Sequence, residues 1–132
     1  MRAFILVLRL LAAVAVAVGL LHLLIGLHAD TLLGARLPAQ VLADPVLDSQ
    51  NRFYGTTFTG YGALIFLCAA DLRRYAAVLA LVAGFVALGG VARLLSIALH
   101  GMPSPPVLGL TLLELLGMPA LLLWFRRVLP VA

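Results

Sequence analysis

Four long apolar segments, separated by short polar stretches, dominate the pattern of hydrophobic and polar positions along the chain. They cover about residues 3–27, 53–70, 75–99 and 107–125. Each has roughly the 17–25 largely apolar residues that a helix needs to cross a membrane. Backbone groups in lipid must be satisfied within the segment, which favours helices. The pattern predicts an all-α integral membrane protein, a four-helix bundle in one domain over residues 1–132.

Composition supports this class, because 64% of the residues are hydrophobic and only 11% are charged. Soluble domains have about a quarter of their residues charged, so the excess apolar surface must face lipid. All nine basic residues are arginines, and they are scattered at segment ends without a basic patch. This distribution excludes a nucleic-acid partner and is typical of membrane flanks. The single cysteine, Cys68, excludes an intramolecular disulfide.

Arginine placement also predicts the orientation. The first segment exceeds the roughly 7–15 apolar residues of a signal peptide, so we expect a mature helix. Short connections near 71–74 and 100–106 predict antiparallel, up-and-down neighbours. The positive-inside rule places both termini and the 2–3 turn in the cytoplasm, as in a multi-pass inner-membrane protein. The arginines at that side are Arg2, Arg73, Arg74, Arg126 and Arg127.

The connection at residues 28–52 is the only long one, and we expect it to form an outer loop. Its leucines and valines are interrupted by Pro38 and Pro45, which is typical of an interfacial segment lying over the outer mouth of a bundle. Asp44 followed by Pro45 is typical of a helix N-cap and first helical position. A short helix is expected to begin there and to run into the second segment.

Two charged residues lie deep inside the apolar segments. Glu114 is about eight residues into the fourth segment, which is roughly 12 Å at 1.5 Å per residue. Arg93 is about seven residues from the outer end of the third, which is roughly 10 Å. Because ionisable residues in a membrane usually face the bundle interior or a wet cavity, we expect both to face inward in the outer half. Arg93 and Arg52 are alternative partners for Glu114.

Other polar residues lie in the same outer half, and on each helix their spacing places them on one face. Together they predict a polar interior pocket that opens outward, above an inner half sealed by apolar side chains. The candidate site residues, for ligand binding or for a structural ion pair, are Arg93, Glu114, Arg52, His22, Tyr54, Ser96, Thr56 and His100.

Two interpretations of the Arg93–Glu114 pair remain open. A structural ion pair would be the cheapest way to keep two charges in lipid. A functional site would use Arg93 to bind an anionic head group or carboxylate, with Glu114 tuning it or moving a proton. Metal binding by His22, His28, His100 and Glu114 is conceivable, but their spacing matches no known metal-ligand motif, so no metal is expected. Nucleotide and hydrolase motifs are absent, and no cofactor is expected.

Three stretches carry a family resemblance: "NRFYG" at 51–55, "GGVARLLSIALHGMP" at 89–103 and "LLELLGMP" at 112–119. With the four segments, they resemble the small bacterial inner-membrane proteins grouped as domain of unknown function 4345. The span pattern is also distantly similar to DoxX-like membrane proteins, which is an analogy of fold alone. The resemblance implies no settled activity. It places Arg52, Tyr54, Gly55, Arg93, Ser96, Gly101, Pro103 and Glu114 at motif positions.

Three function classes follow from this pattern. The first is a non-enzymatic membrane protein that binds a small or lipidic ligand, or serves as an accessory subunit of a larger membrane complex. The second is a membrane enzyme acting on a lipid or quinone-like substrate, with His22 or Glu114 as acid/base. The third is a small transporter, which would need a homo-oligomer and a second gate. We favour the first, with membrane lipid as the expected partner.

Overall fold

The described part of the chain, residues 1–129 of a computed structural model, is almost entirely helical. Helices α1 (Arg2–Ile25), α4 (Pro45–Ala70) and α5 (Ala76–His100) and the continuous segment Pro105–Val128, here called the fourth span, are long and apolar enough to cross a membrane. This confirms the predicted all-α membrane class. The helices are α1 (Arg2–Ile25), α2 (His28–Leu32), α3 (Ala39–Leu42), α4 (Pro45–Ala70), α5 (Ala76–His100), α6 (Pro105–Leu112) and α7 (Met118–Val128), with a π-helical turn, Leu113–Gly117, joining the last two.

Helix α4 begins well before the second apolar segment, at the predicted Asp44–Pro45 pair. The Asp44 carboxylate accepts hydrogen bonds from the backbone N–H groups of Val46 at 2.8 Å and Leu47 at 3.1 Å. Pro45 tolerates the first helical position because no N–H is needed there. The predicted helix start is therefore confirmed. Helix α4 also takes in residues 45–52, which the sequence pattern assigned to the outer loop.

Helices α1 and α4 pack against each other so closely that glycine is required along their contact. A Cβ atom on Gly55 would lie 2.5 Å from the backbone N of Leu23 and 2.7 Å from the carbonyl O of Gly19. A Cβ on Gly62 would lie 2.7 Å from the carbonyl O of Ala12. Small residues allow this approach of two backbones in a membrane, where packing replaces the hydrophobic effect. Because the glycine face of α4 packs against α1, this contact determines which other face of α4 is turned toward the rest of the bundle.

The apolar core of the bundle lies at the end that carries the N-terminus and the 71–75 turn, here called the termini end. Phe4 is fully buried, and its ring lies 5.1 Å from Trp124 and 5.8 Å from Phe125, centroid to centroid. These contacts tie α1 to α7. The buried side chains of this core are Phe4, Leu8, Ala12, Ile65, Cys68, Ala69, Leu72, Leu79, Val82, Ala83, Met118 and Leu121.

Two helix pairs make up the bundle, α1 with α4 and α5 with the fourth span. The pairs contact each other through α4 with α5 and through α7 with α1. Their shared buried core is at the termini end. At the opposite end, here called the loop end, extensive contacts between α6 and either α1 or α4 are absent from residues 1–129. The two pairs therefore separate toward the loop end, and a cavity lies between them.

The connection after α1 lies across the loop end of the bundle. The Ser104 hydroxyl, from the connection after α5, donates a hydrogen bond of 2.5 Å to the carbonyl O of Leu33. Gly34 takes a left-handed conformation with φ of 97° beside Ser104, which a larger residue would adopt only with strain. One hydrogen bond thus joins the two loops over the cavity.

Candidate functional site

An elongated cavity of about 290 Å³ lies between the two helix pairs. Its lining on α4 runs from Asn51 to Ile65, which is roughly 21 Å at 1.5 Å per residue. Apolar side chains form most of the wall, and all of it near the termini end, where Leu11, Ile65 and Met118 lie. The polar and aromatic lining residues are His22, Asp30, Asn51, Tyr54, Phe58, Tyr61, Arg93 and Glu114.

The structure brings Arg93 and Glu114 together on the wall of this cavity. The Nε atom of Arg93 donates a hydrogen bond of 2.8 Å to Oε2 of Glu114. The Glu114 side chain is 8% exposed and that of Arg93 is 31% exposed. Arg93 is therefore the partner of Glu114, and the alternative pairing with Arg52 is wrong. The carboxylate is held inside the protein while the guanidinium reaches the cavity.

Glu114 lies within the π-helical turn of the fourth span. Pro119 follows this turn and has no N–H to donate to the carbonyl four residues earlier, so the regular α-helical pattern is interrupted there. A π-turn inserts an extra residue and is frequent at functional sites. Gly90 of α5 makes room for it, because a Cβ at this position would lie 3.0 Å from the Cβ of Glu114. The proline in "LLELLGMP" was the sequence signal for this irregularity, which we had not predicted.

Arg52 has a different role, at the end of α1. Its Nε atom donates to the Asp48 carboxylate at 2.7 Å. One terminal nitrogen donates to the carbonyl oxygens of Leu23 at 2.8 Å and Leu24 at 2.9 Å. The last carbonyls of a helix lack partners within the helix. Arg52 therefore caps α1 and holds it to α4, and the cavity lining does not include it.

His22 and two polar residues form a second polar group at the loop end of the cavity. The Nδ1 atom of His22 lies 2.8 Å from the carbonyl O of Val18, which can only accept, so Nδ1 carries a proton. Its Nε2 atom lies 3.6 Å from the Asp30 carboxylate. The other Asp30 oxygen accepts a 2.5 Å hydrogen bond from the Asn51 amide nitrogen. An imidazole beside a carboxylate can hold or accept a proton at Nε2.

Some of the predicted site residues do not reach the cavity, and for these the sequence-based prediction is wrong. Thr56, Ser96 and His100 lie on the outer surface of the bundle, and the cavity lining includes none of them. The predicted inward face of α4, with Arg52 and Thr56, is wrong. The physical reason is that α4 turns its glycines toward α1, so its aromatic face, which begins with Tyr54, meets the cavity instead. The predicted residues that the structure gathers at the cavity are His22, Tyr54, Arg93 and Glu114.

Asp30 and Asn51 are cavity residues that the sequence analysis missed as site candidates. Asp30 was one of several charges in the outer loop, and α2 brings it back over the end of α1. Asn51 belongs to the "NRFYG" stretch, in which Arg52 and Tyr54 are the predicted site residues. Its side-chain oxygen is buried and has no hydrogen-bond partner in the described part of the chain. The sequence signal for Asn51 was its position, because it is a polar residue in the first turns of a helix that continues into an apolar segment.

The cavity residues do not form a metal site. Within residues 1–129, no group of three or more His, Cys, Asp or Glu side chains lies close enough to hold a metal ion. His28 and His100 are both exposed, and the cavity lining includes neither of them. The arrangement offers hydrogen-bond donors at Arg93, acceptors at Glu114 and Asp30, and a long apolar wall. Chemically, it suits a molecule with a polar head and an apolar body.

Comparisons with known proteins agree with the resemblance seen in the sequence. The family model described as "Domain of unknown function (DUF4345)" matches residues 3–125, nearly the whole chain. No curated protein and no solved structure gives a significant match. With four candidate membrane-spanning helices in the described residues, the protein is a multi-pass membrane protein, and the match identifies it as a member of the DUF4345 family.

Proposed function

We propose that this protein binds an amphiphilic molecule from the membrane in the cavity between its two helix pairs. The observation that carries the proposal is the cavity itself, about 290 Å³ with an apolar wall and polar groups confined to its middle and its loop end. Small-molecule sites are concave and mostly apolar, with a few placed polar groups. The apolar body would lie toward Leu11 and Met118, and the polar head beside Arg93.

The route into the cavity also supports a ligand from the membrane. The two helix pairs separate toward the loop end, so the cavity faces the surroundings of the bundle between α6 and its neighbours. At the termini end the fully buried Phe4 and Leu8 close the bundle. This closure supports binding over transport, since a transporter needs access from both sides.

The same proposal includes an orientation. Five arginines lie at the termini end and Arg9 lies near it, whereas the loop end has Arg36 and Arg52 with three aspartates. The positive-inside rule then places the termini end in the cytoplasm of a bacterial inner membrane and the loop end outside. The ligand would enter from the outer leaflet. Cysteine labelling at position 36 from outside intact cells tests this, and labelling only after cell lysis would overturn it.

The test of binding uses photoactivatable amphiphiles on the purified full-length protein in detergent micelles. The probes are hexadecanol and palmitic acid, each with a diazirine in the chain. Ala15 lines the cavity on α1, so Ala15→Phe fills it, and Ala13→Phe places the same ring on the exposed side of the same helix. We expect at least one probe to label cavity residues in the wild type and in Ala13→Phe, with labelling lost in Ala15→Phe.

Competition separates a real site from general contact with detergent-like probes. Unlabelled competitor should reduce labelling at cavity residues such as Phe58 and leave labelling of the outer surface unchanged. Labelling spread evenly over exposed residues, with no competition at the cavity, would overturn the proposal. Thermal unfolding of both phenylalanine variants shows whether loss of labelling comes from loss of the fold.

A membrane enzyme is the second candidate, and the His22–Asp30 pair favours it. The Nε2 atom of His22 faces Asp30 and lines the cavity, so it could take a proton from a bound hydroxyl group. Incubating the protein with a total bacterial lipid extract and analysing it by mass spectrometry tests this candidate. A product made by the wild type and lost in His22→Gln would support it. No change in any lipid species with the folded wild type would remove it.

A further inference from the structure

Arg93 meets the cavity with hydrogen-bond donors that the protein leaves free. Only its Nε atom is engaged, by Glu114 at 2.8 Å, and neither terminal nitrogen donates to a residue within the described range 1–129. A guanidinium has five N–H donors and no acceptor. A ligand beside Arg93 must therefore present acceptor oxygens to those two nitrogens.

The positive charge of Arg93 is already matched by Glu114. The carboxylate is 8% exposed and cannot turn away into bulk solvent. Apart from the two tyrosines, the other ionisable groups along the wall, His22 and Asp30, lie beside each other. With His22 protonated the lining is neutral, and with His22 neutral it carries one negative charge. An anionic head group would add an unmatched charge to an apolar cavity, which is costly.

Asn51 adds a second requirement. The Asp30 carboxylate only accepts, so the amide nitrogen of Asn51 must be the atom that faces it. This leaves the amide oxygen buried without a partner among residues 1–129, in a residue that lines the same cavity. A buried acceptor without a donor is destabilising. A hydroxyl group on a bound molecule would satisfy it after a small rotation of the Asn51 side chain that brings this oxygen to the cavity surface.

We infer that the cavity selects an uncharged, hydroxylated amphiphile and rejects its anionic counterpart, with Glu114 as the residue that sets this selectivity. This inference rests on the proposed function and reverses the idea that Arg93 binds a carboxylate. Glu114 already supplies the negative charge that a ligand carboxylate would bring to Arg93. A head group with carbonyl or ester oxygens and a hydroxyl, as in a monoacylglycerol, meets both Arg93 and Asn51.

Three unlabelled competitors with the same acyl chain test this directly. They are 1-monopalmitoyl glycerol, methyl palmitate and palmitate, each displacing the photoactivatable hexadecanol at equal mole fraction in micelles at pH 8. We expect monopalmitoyl glycerol to compete best, methyl palmitate about tenfold less well because it has no hydroxyl for Asn51, and palmitate weakest. In Asn51→Leu the first two should become equal.

Glu114→Gln is the decisive variant, because it keeps the side-chain shape and removes the charge. Its ratio of palmitate to monopalmitoyl glycerol competition should rise about tenfold or more above the wild-type ratio, since Arg93 is then unmatched. Comparing this ratio between the variant and the wild type cancels the difference in how the two competitors partition into micelles. Ala13→Phe, on the outer surface, should keep the wild-type ratio.

Two results would overturn the inference and leave amphiphile binding intact. One is palmitate competing as well as monopalmitoyl glycerol in the wild type, and this comparison needs no variant to fold. The other is an unchanged ratio in a folded Glu114→Gln. If neither photoactivatable probe labels the wild-type cavity, the proposed function itself fails.

Discussion

Replacing Arg93 and replacing Glu114 are expected to lower the free energy of unfolding by different amounts. Arg93→Met leaves the Glu114 carboxylate, which is 8% exposed, without its partner. Removing one member of a buried ion pair costs about 3 kcal/mol. Glu114→Gln leaves Arg93, which is 31% exposed toward the cavity, with an amide oxygen that still accepts its hydrogen bond. We expect the second change to cost only about 1 kcal/mol, the size of one ordinary hydrogen bond.

The double variant measures the interaction itself. With Arg93→Met and Glu114→Gln combined, no charge is left unmatched, so the loss should fall short of the sum of the single losses. We expect a coupling free energy of about 2 kcal/mol, within the range for residues in direct contact. A double variant nearly as stable as Glu114→Gln alone would show that the ion pair has a structural role that an uncharged pair can fill.

The assay is reversible unfolding in mixed micelles, with helicity read by circular dichroism as the denaturing detergent increases. Arg9→Met is the matched control, since Arg9 lies on the outer surface near the termini end. It should change the free energy of unfolding by less than about 0.5 kcal/mol. The reasoning is refuted if Arg93→Met costs no more than Arg9→Met, or if the two single losses are additive.

Two further predictions concern the packing of α1 on α4 and the loop contact over the cavity. Gly55→Ala should lower the free energy of unfolding by about 2 kcal/mol, because its Cβ would meet the backbone of α1. Gly60→Ala, with nothing within 4 Å of its Cβ, should leave stability unchanged or raise it; equal losses would contradict the assigned contact. Ser104→Ala removes the hydrogen bond to Leu33, so amide exchange after α2 should rise about fivefold. An unchanged exchange rate there would show that this bond does not hold the loop.

The candidate site was only partly readable from the sequence. Arg93 and Glu114 stand out because a charge in an apolar segment is costly, whatever surrounds it. Arg52 stands out for the same reason, yet its partners are Asp48 and two carbonyls at the end of α1. Depth along a helix can be counted from residue numbers. Rotation about the helix axis cannot be counted when nearly every face is apolar.

The glycines of α4 determine how this helix is rotated about its axis in the bundle. Gly55 and Gly62 could face either α1 or the bundle interior by spacing alone, and their close fit against α1 sends Tyr54 and Asn51 to the cavity. The π-helical turn that carries Glu114 depends in the same way on α5 supplying Gly90 beside it. Neither arrangement leaves a periodic hydrophobic signal.

The sequence by itself determined that the chain is an all-α membrane protein with four spans, because length and apolar content alone decide whether a helix is stable in lipid. It also determined the family, and the depth of the two buried charges. Only the tertiary structure decided which arginine meets Glu114, which residues line a cavity, and that Asp30 and Asn51 belong to it. Those outcomes depend on shape complementarity between helices, a property of pairs of surfaces that no single segment carries.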